Sequence, residues 1–336
     1  MSEPKTADLV IHNGTVVSGE VSYRASVAIK DGRIEVVGGD DAMPAAAEHL
    51  DAEGLHLLPG AIDVHVHFRD PGFRYKETWK TGTAAAAVGG VTTVFEMPNT
   101  NPPTATAREL EDKLARADAE AYVDFGVYGL LAEDNIEHLE DLVAGGVIGF
   151  KCFMGNTFGN LPSPSTGAML EGFERLAPTG LRVSLHAETA SIMARRYEQL
   201  RGAGRTDPRA HLAARPPVVA MEAVSRAAVL SEWTGTRIHV LHVSSAAELG
   251  PLADARARGV DVTAETCPHY LLFNDSHYDS LGSLIRVNPP IRTAADADAL
   301  WRALLEGPLD MLATDHAPHL PEEKIADNIW EADCGF

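Results

Sequence analysis

The sequence predicts an α/β protein: a (β/α)8 TIM barrel preceded by a small β module of the sandwich type. Three observations carry that expectation. Eight apolar, strand-like segments alternate with helical stretches over roughly 260 residues, which is the size and order of such a barrel. Chemically reactive residues sit at the C-terminal ends of those segments, where a barrel gathers its active site. No glycine-rich phosphate loop follows any strand, which argues against an open doubly wound sheet.

The elements follow in order. Residues 8–58 read as short strands and turns in LVIHNG, SVAIKDGRIEVVGG and EHLDAEGLHLLPG, with Asp31-Gly32 as a hairpin signal. Residues 1–58 are therefore expected to form a small β module, an incomplete composite sandwich too small to be stable alone. Residues 59–336 are expected to form the barrel. Its strand candidates are 61–68, 92–98, 122–129, 148–154, 181–188, 237–244, 261–270 and 310–318. Helices are expected between them, for example over 107–121, 218–235 and 246–259, the last two closing on glycine as helix C-termini often do.

Composition narrows the function classes. The chain has 336 residues, 45% of them apolar, and no apolar run near the length of a membrane span. A net charge of −20 argues against a nucleic-acid partner, because a basic patch would have to stand out against that field. The cations are seven lysines against twenty-one arginines, which fits either a salt-adapted host or a GC-rich genome. Cys152, Cys267 and Cys334 are far apart and odd in number, which argues for a reducing compartment. With no basic-then-apolar leader in MSEPKTADLV, a cytoplasmic location is expected.

The stretch GAIDVHVHFRDPG, residues 60–72, points to the chemistry. In a strand, alternation puts Asp63, His65, His67 and Arg69 on one face and Ile62, Val64, Val66 and Phe68 on the other. The later strands end in kind: Lys151 in GFKCFMG, His186 in LHAE, His242 in LHVSS and Asp315 in ATDHAPH. Imidazole and carboxylate suit zinc and similar divalent cations. Lys151 makes sense in such a set only as its carbamate, since an ammonium repels a metal. Asp63 is expected to brace the histidines from behind. By parity His239 and Cys152 should face away from the centre, toward the helices.

These residues carry a resemblance. PGAIDVHVHFRDPG, AAAAVGGVTTVFEMPNT, GFKCFMG, HAE, HVSS, AETCPHYL, VNPPIR and ATDHAPH resemble the cyclic amidohydrolases of the amidohydrolase superfamily, and most closely the dihydroorotases. The resemblance implies two divalent metal ions, zinc by donor type. His65 and His67 would hold the buried one, His186 and His242 the other. N6-carboxylated Lys151 would bridge them, and Asp315 would contact the first metal and shuttle protons. It further implies that Arg69 and Asn99, helped by His319, hold a substrate carboxylate; Asn288 of VNPPIR leans the same way. The expected reaction is reversible interconversion of dihydroorotate and N-carbamoyl-aspartate, with a cyclic ureide as the small-molecule partner, no membrane or nucleic acid, and a homo-oligomer as an open option. Allantoinase or hydantoinase activity is the alternative, since those enzymes act on rings without that carboxylate and share GFKCFMG and CPHYL. A non-catalytic scaffold relative is the third reading, disfavoured because no metal ligand is lost. Against the family pattern, HLPEEKIADNIWEADCGF closes the chain where a last barrel helix and returning strands are expected, so the C-terminal part is read as missing.

Overall fold

The structure, a computed structural model, describes residues 6–155, 157, 161 and 163–336. The chain divides into two compact units, Met1–Ala61 and Ile62–Phe336.

The first unit is one mixed sheet. Its strands are β1 (Ala7–Val17), β2 (Ser22–Lys30), β3 (Arg33–Gly38), β4 (Ala46–Asp51) and β5 (His56–Leu57), ordered β3-β2-β1-β4 with β5 also paired to β1. β1–β2 and β2–β3 are antiparallel, whereas β4 and β5 lie parallel to β1. Asp31 and Gly32 both have positive φ, 50° and 71°, between the paired Lys30 and Arg33. That is the turn whose twist matches the strands, and Asp-Gly is among the pairs that adopt it most readily. Ala7, Val10 and Ala28 form the buried centre, with Val36, Met43 and Ala46 packed against them. The described residues of this unit make a single layer; a second layer of the expected sandwich is not among them.

All eight expected strands of the second unit are present. They are β6 (Ala61–Val66), β7 (Val91–Glu96), β8 (Asp124–Val127) with its continuation β9 (Gly129–Leu131), β10 (Phe150–Phe153), β11 (Val183–His186), β12 (Ile238–Val240), β13 (Val262–Thr266) and β14 (Met311–Leu312). They form two sheets, β6-β7-β8 and β9-β10-β11-β12-β13-β14, and β9 to β14 are parallel throughout. The strand expected over 122–129 passes from one sheet to the other at Tyr128, whose N–H bonds to Glu96 O while the next N–H bonds to Gly149 O. A parallel bridge between Val66 and His316 joins the outer edges, with His67 N donating to His316 O at 2.7 Å.

The helices lie where the apolar spacing put them. Ala107–Glu120 and Val218–Thr234 match closely, and the second ends on Gly235 at φ 75°, a left-handed cap that costs glycine little. The stretch expected as one helix over 246–259 opens instead as a 3-10 turn, Ala246–Glu248, before the helix Leu249–Ala257. Glu248 folds back to accept from Ser244 N and Ser245 N at 3.0 and 2.9 Å, which winds that first turn tightly. Cys152 lies in the apolar core with Phe150, Leu185, Val240 and Ala264, on the helix side of its strand as alternation requires. Among the described residues no helix is long and apolar enough to cross a membrane.

All but the third of the strands, whose continuation β9 runs on to Leu131, stop short of their expected C-terminal ends. β6 ends at Val66 rather than at residue 68, β13 at Thr266 rather than 270, and β14 is only two residues long. Beyond these ends the backbone turns. Of the five non-glycine residues with positive φ among those described, three are Arg69 (60°), His242 (40°) and Asp315 (51°). Such conformations are held only where the surroundings over-determine them, and these three converge on one cavity.

Candidate metal centre and active site

The centre begins on β6, where Asp63 and His65 are buried and Ile62 is exposed, as alternation requires, and continues just past its end with buried His67. Asp63 does not touch an imidazole. It accepts from Thr314 N at 3.1 Å and from His65 N at 3.3 Å, and so holds β6 against the segment that carries Asp315. Asp315 Oδ1 then lies 3.1 Å from both His65 Nε2 and His67 Nε2. The far nitrogens are fixed from behind. His65 Nδ1 is 2.6 Å from Glu265 Oε1, and His67 Nδ1 is 2.7 Å from Asn99 Oδ1. A ring that donates backward through Nδ1 presents a lone pair forward through Nε2.

The other half sits on β10, β11 and the turn after β12. His186 Nδ1 and His242 Nε2 face each other at 2.9 Å, while His186 Nε2 is held at 3.0 Å by Glu188 Oε2. Glu188 is paired in turn with Arg215, whose Nε donates to Tyr197 Oη at 2.8 Å. Lys151 is fully buried between these halves, makes no ion pair among the described residues, and has its Nζ 4.8 Å from the Phe153 ring centre.

Charge explains the titration behaviour. Burial alone would raise the Asp315 carboxyl, but the two imidazoles beside it outweigh that and hold it well below the usual carboxylate range. Burial likewise lowers His67, to about 3, and His186 and His242 fall for the same reason, so all three rings are neutral donors of a lone pair. His65 runs the other way. Burial lowers it, yet Asp315 and Glu265 carry it up to about 9, which marks a place where a positive charge is welcome. Burial brings Lys151 down to about 8 despite the same two carboxylates.

These residues fit divalent cations. The ligand atoms of His65, His67 and Asp315 all lie within 4.8 Å of one another. Among the described residues His242 Nδ1 is buried with no hydrogen-bond partner, which is costly for a polar atom unless something else satisfies it, and buried His65 Nε2 meets only the Asp315 carboxylate. Nitrogen and carboxylate donors of this kind are the set zinc prefers.

The remaining predicted residues line the same cavity: Arg69, Asn99 and Asn288 do so beside all six candidate ligands. His319 does not line it but holds Arg69, whose Nη2 lies 3.1 Å from His319 Nε2 while its Nε donates to Pro318 O at 3.2 Å. His319 is itself oriented by Lys76 at 2.8 Å and Asp333 at 3.0 Å. Asn99 has its carbonyl oxygen committed to His67. Around the ligands the space is narrow, about 20 Å³. It shares Asn288 and Cys334 with a larger cavity of about 660 Å³, walled by Tyr197, Arg201, Arg215, Arg286 and Trp330. The larger one has room for a five- or six-membered ring.

One expectation is corrected. His239 does not face the helices: its Nε2 lies 3.0 Å from Glu265 Oε2, on the carboxylate whose other oxygen meets His65. The parity argument failed because β12 ends at Val240 and His242 lies beyond it at φ 40°, so alternation cannot be counted from 239 to 242. Glu265, Glu188 and Arg215 were not singled out from the sequence. Glu265 carried a signal, since it alternates with buried Val262, Ala264 and Thr266 in a strand that should otherwise be apolar inside.

Comparison with known proteins defines the class. Residues 54–248 match the family described as dihydro-orotase-like. An allantoinase of Rubrobacter xylanophilus is 40% identical over 327 residues, 97% of this chain and 72% of that protein. An allantoinase of Deinococcus radiodurans is 37% identical over 96% of this chain and 72% of its own length. Among solved structures, the L-hydantoinase (dihydropyrimidinase) of Arthrobacter aurescens superposes with a TM-score of 0.94 at 31% identity, covering 98% of this chain and 74% of that one. The chain belongs to the cyclic amidohydrolases, enzymes that hydrolyse C–N bonds in cyclic amides. The narrower dihydroorotase expectation is not supported: these relatives carry the names of the alternative, allantoinase and hydantoinase.

Proposed function

We propose that this protein opens the ring of allantoin, a five-membered cyclic ureide without a ring carboxylate. The observation that carries the reading is its similarity to allantoinases, 40% and 37% identical over nearly the whole chain. The state of Arg69 agrees with it. A guanidinium kept for a substrate carboxylate would present its fork to the cavity, whereas Arg69 spends Nε on Pro318 O and Nη2 on His319. Hydantoinase activity is the second reading, favoured by the structural likeness to the L-hydantoinase.

In this reading residues 59–336 are the catalytic barrel, its eight strands closing through the Val66–His316 bridge, and residues 1–58 are a separate β module. His65, His67 and Asp315 would hold one cation, His186 and His242 the other, with Lys151 between them as its carbamate. Its burial and neutral-leaning amine suit reaction with carbon dioxide, which only the unprotonated nitrogen can attack. When bound, the cations supply an acidified water and polarise the ring carbonyl. The protein's own residues do the rest. Asp315, ionised and 3.1 Å from two imidazoles, takes the proton of the attacking water and returns it to the ring nitrogen as the C–N bond breaks. Glu188 and Asn99 keep His186 and His67 in the tautomers that leave their forward nitrogens unprotonated. Asn288 borders the cavity.

The test is a side-by-side rate comparison of zinc-loaded protein on allantoin, hydantoin, dihydrouracil and dihydroorotate. Allantoin is expected to be turned over best. Preference for hydantoin or dihydrouracil would establish the second reading, and preference for dihydroorotate would overturn both.

A further inference from the structure

Glu265 is a fully buried carboxylate in the middle of β13, and both of its oxygens are used by imidazoles. Oε1 lies 2.6 Å from His65 Nδ1 and Oε2 lies 3.0 Å from His239 Nε2. His239 is held at its other end, with Nδ1 2.8 Å from Thr263 Oγ1. The backbone N–H of His242 points at Oε1 as well, at 3.4 Å. A continuous string therefore runs Thr263–His239–Glu265–His65 and ends at His65 Nε2, which is buried with the Asp315 carboxylate oxygen 3.1 Å away. A buried carboxylate is expensive to maintain, so a role that only a double acceptor can fill is worth looking for.

We propose that Glu265 and His239 are positioning residues which lock His65 in the Nδ1–H tautomer, keeping its Nε2 lone pair ready for the first cation. This rests on the metal-centre reading above. The argument is one of donors and acceptors. A carboxylate can only accept, so the imidazole nitrogens that face it must both carry hydrogen. For His65 that leaves Nε2 bare. Thr263 completes the lock, because its hydroxyl can donate to the bare Nδ1 of His239. Glutamine in place of Glu265 could accept from only one ring and would have to donate to the other. His239 can absorb that change by reversing its tautomer, since the Thr263 hydroxyl can also accept. His65 cannot absorb it without protonating the nitrogen that would bind the cation.

The hypothesis predicts a graded series in zinc affinity, read by competition against a chromophoric chelator, with total zinc by elemental analysis. Wild type is expected to bind two cations. Glu265→Leu, which leaves no acceptor, should weaken one of the two by about 10–100-fold and leave the other near wild type. Glu265→Gln should keep most of the affinity through the His239 switch. Glu265→Gln combined with Thr263→Val, which removes the switch, should lose more than the two single changes together. A merely structural Glu265 would show no such rescue and non-additivity. Wild-type affinity for both cations in Glu265→Leu would overturn the proposal. Should that variant not fold, an additive Gln and Thr263→Val pair would overturn it equally. In 15N-histidine spectra of the metal-free wild type, taken at a pH where His65 has lost its second proton, a remaining proton on Nε2 rather than Nδ1 would do the same. Wild-type protein that takes up no zinc would instead overturn the metal-centre reading, and this role with it.

Discussion

At the scale of single residues the site works by placing acceptors behind imidazoles and a carboxylate in front of them. Asp315 is the group whose loss should separate binding from chemistry. Asp315→Asn is expected to lower kcat for ring opening by about 10²–10⁴-fold, the usual worth of a positioned proton carrier, and undiminished turnover in steady-state assays would remove it from that role. Arg69 offers a different readout. Because its fork is already occupied by Pro318 O and His319, Arg69→Ala should change kcat/KM for hydantoin and for dihydroorotate by similar factors. A loss confined to dihydroorotate would restore the carboxylate-binding role that the family resemblance implies.

At the scale of elements, helices are tied to strands by buried charge as well as by apolar packing. Lys113, on the helix Ala107–Glu120, reaches Met97 O at 2.7 Å and lies 3.3 Å from Glu96 Oε1 at the end of β7. The other oxygen of Glu96 accepts from Phe68 N at 2.8 Å, just past the end of β6. One ion pair thus sets the spacing of two strands and a helix directly behind His67. Lys113→Met would strand a buried carboxylate and should cost about 3–5 kcal/mol in urea unfolding, of which Glu96→Gln in the same chain should recover a good part. A cost below about 1 kcal/mol would mean the pair is as dispensable as exposed ones are. The helix Val218–Thr234 makes a smaller, cleaner case. Gly235→Ala, at φ 75°, should cost about 1 kcal/mol, read in the same experiment.

At the scale of the whole molecule, the candidate ligands come from segments whose first and last members are some 250 residues apart in sequence (His65 and Asp315), so cation binding at this site would be linked to folding. A cation that binds only the folded chain adds about 2.7 kcal/mol at a hundredfold excess over its Kd. Treatment with a chelator should therefore lower the melting temperature seen by calorimetry, and zinc should restore it. An unchanged melting temperature would mean that the folded chain holds no cation.

The amino-acid sequence alone was enough for the strand–helix alternation, because a period of two and a period near 3.6 are local properties of the chain. It was also enough to single out six residues at the ends of strand-like segments, where the β/α grammar places reactive groups, and the folded chain brings all six to one cavity. It was not enough for the residues behind them. Glu265 meets His65 from 200 positions away, and Glu188 meets Arg215 from 27 positions away, a spacing no helix or strand period produces. His239 was misassigned because parity holds only while a strand lasts, and β12 stops before His242. The Asn99 side chain was read as a substrate contact, and in the folded chain its oxygen is bonded to His67. Local periodicity decides which residues can face inward. Which inward-facing groups become partners depends on where strands end and turn, and that is settled by packing between segments far apart in the chain.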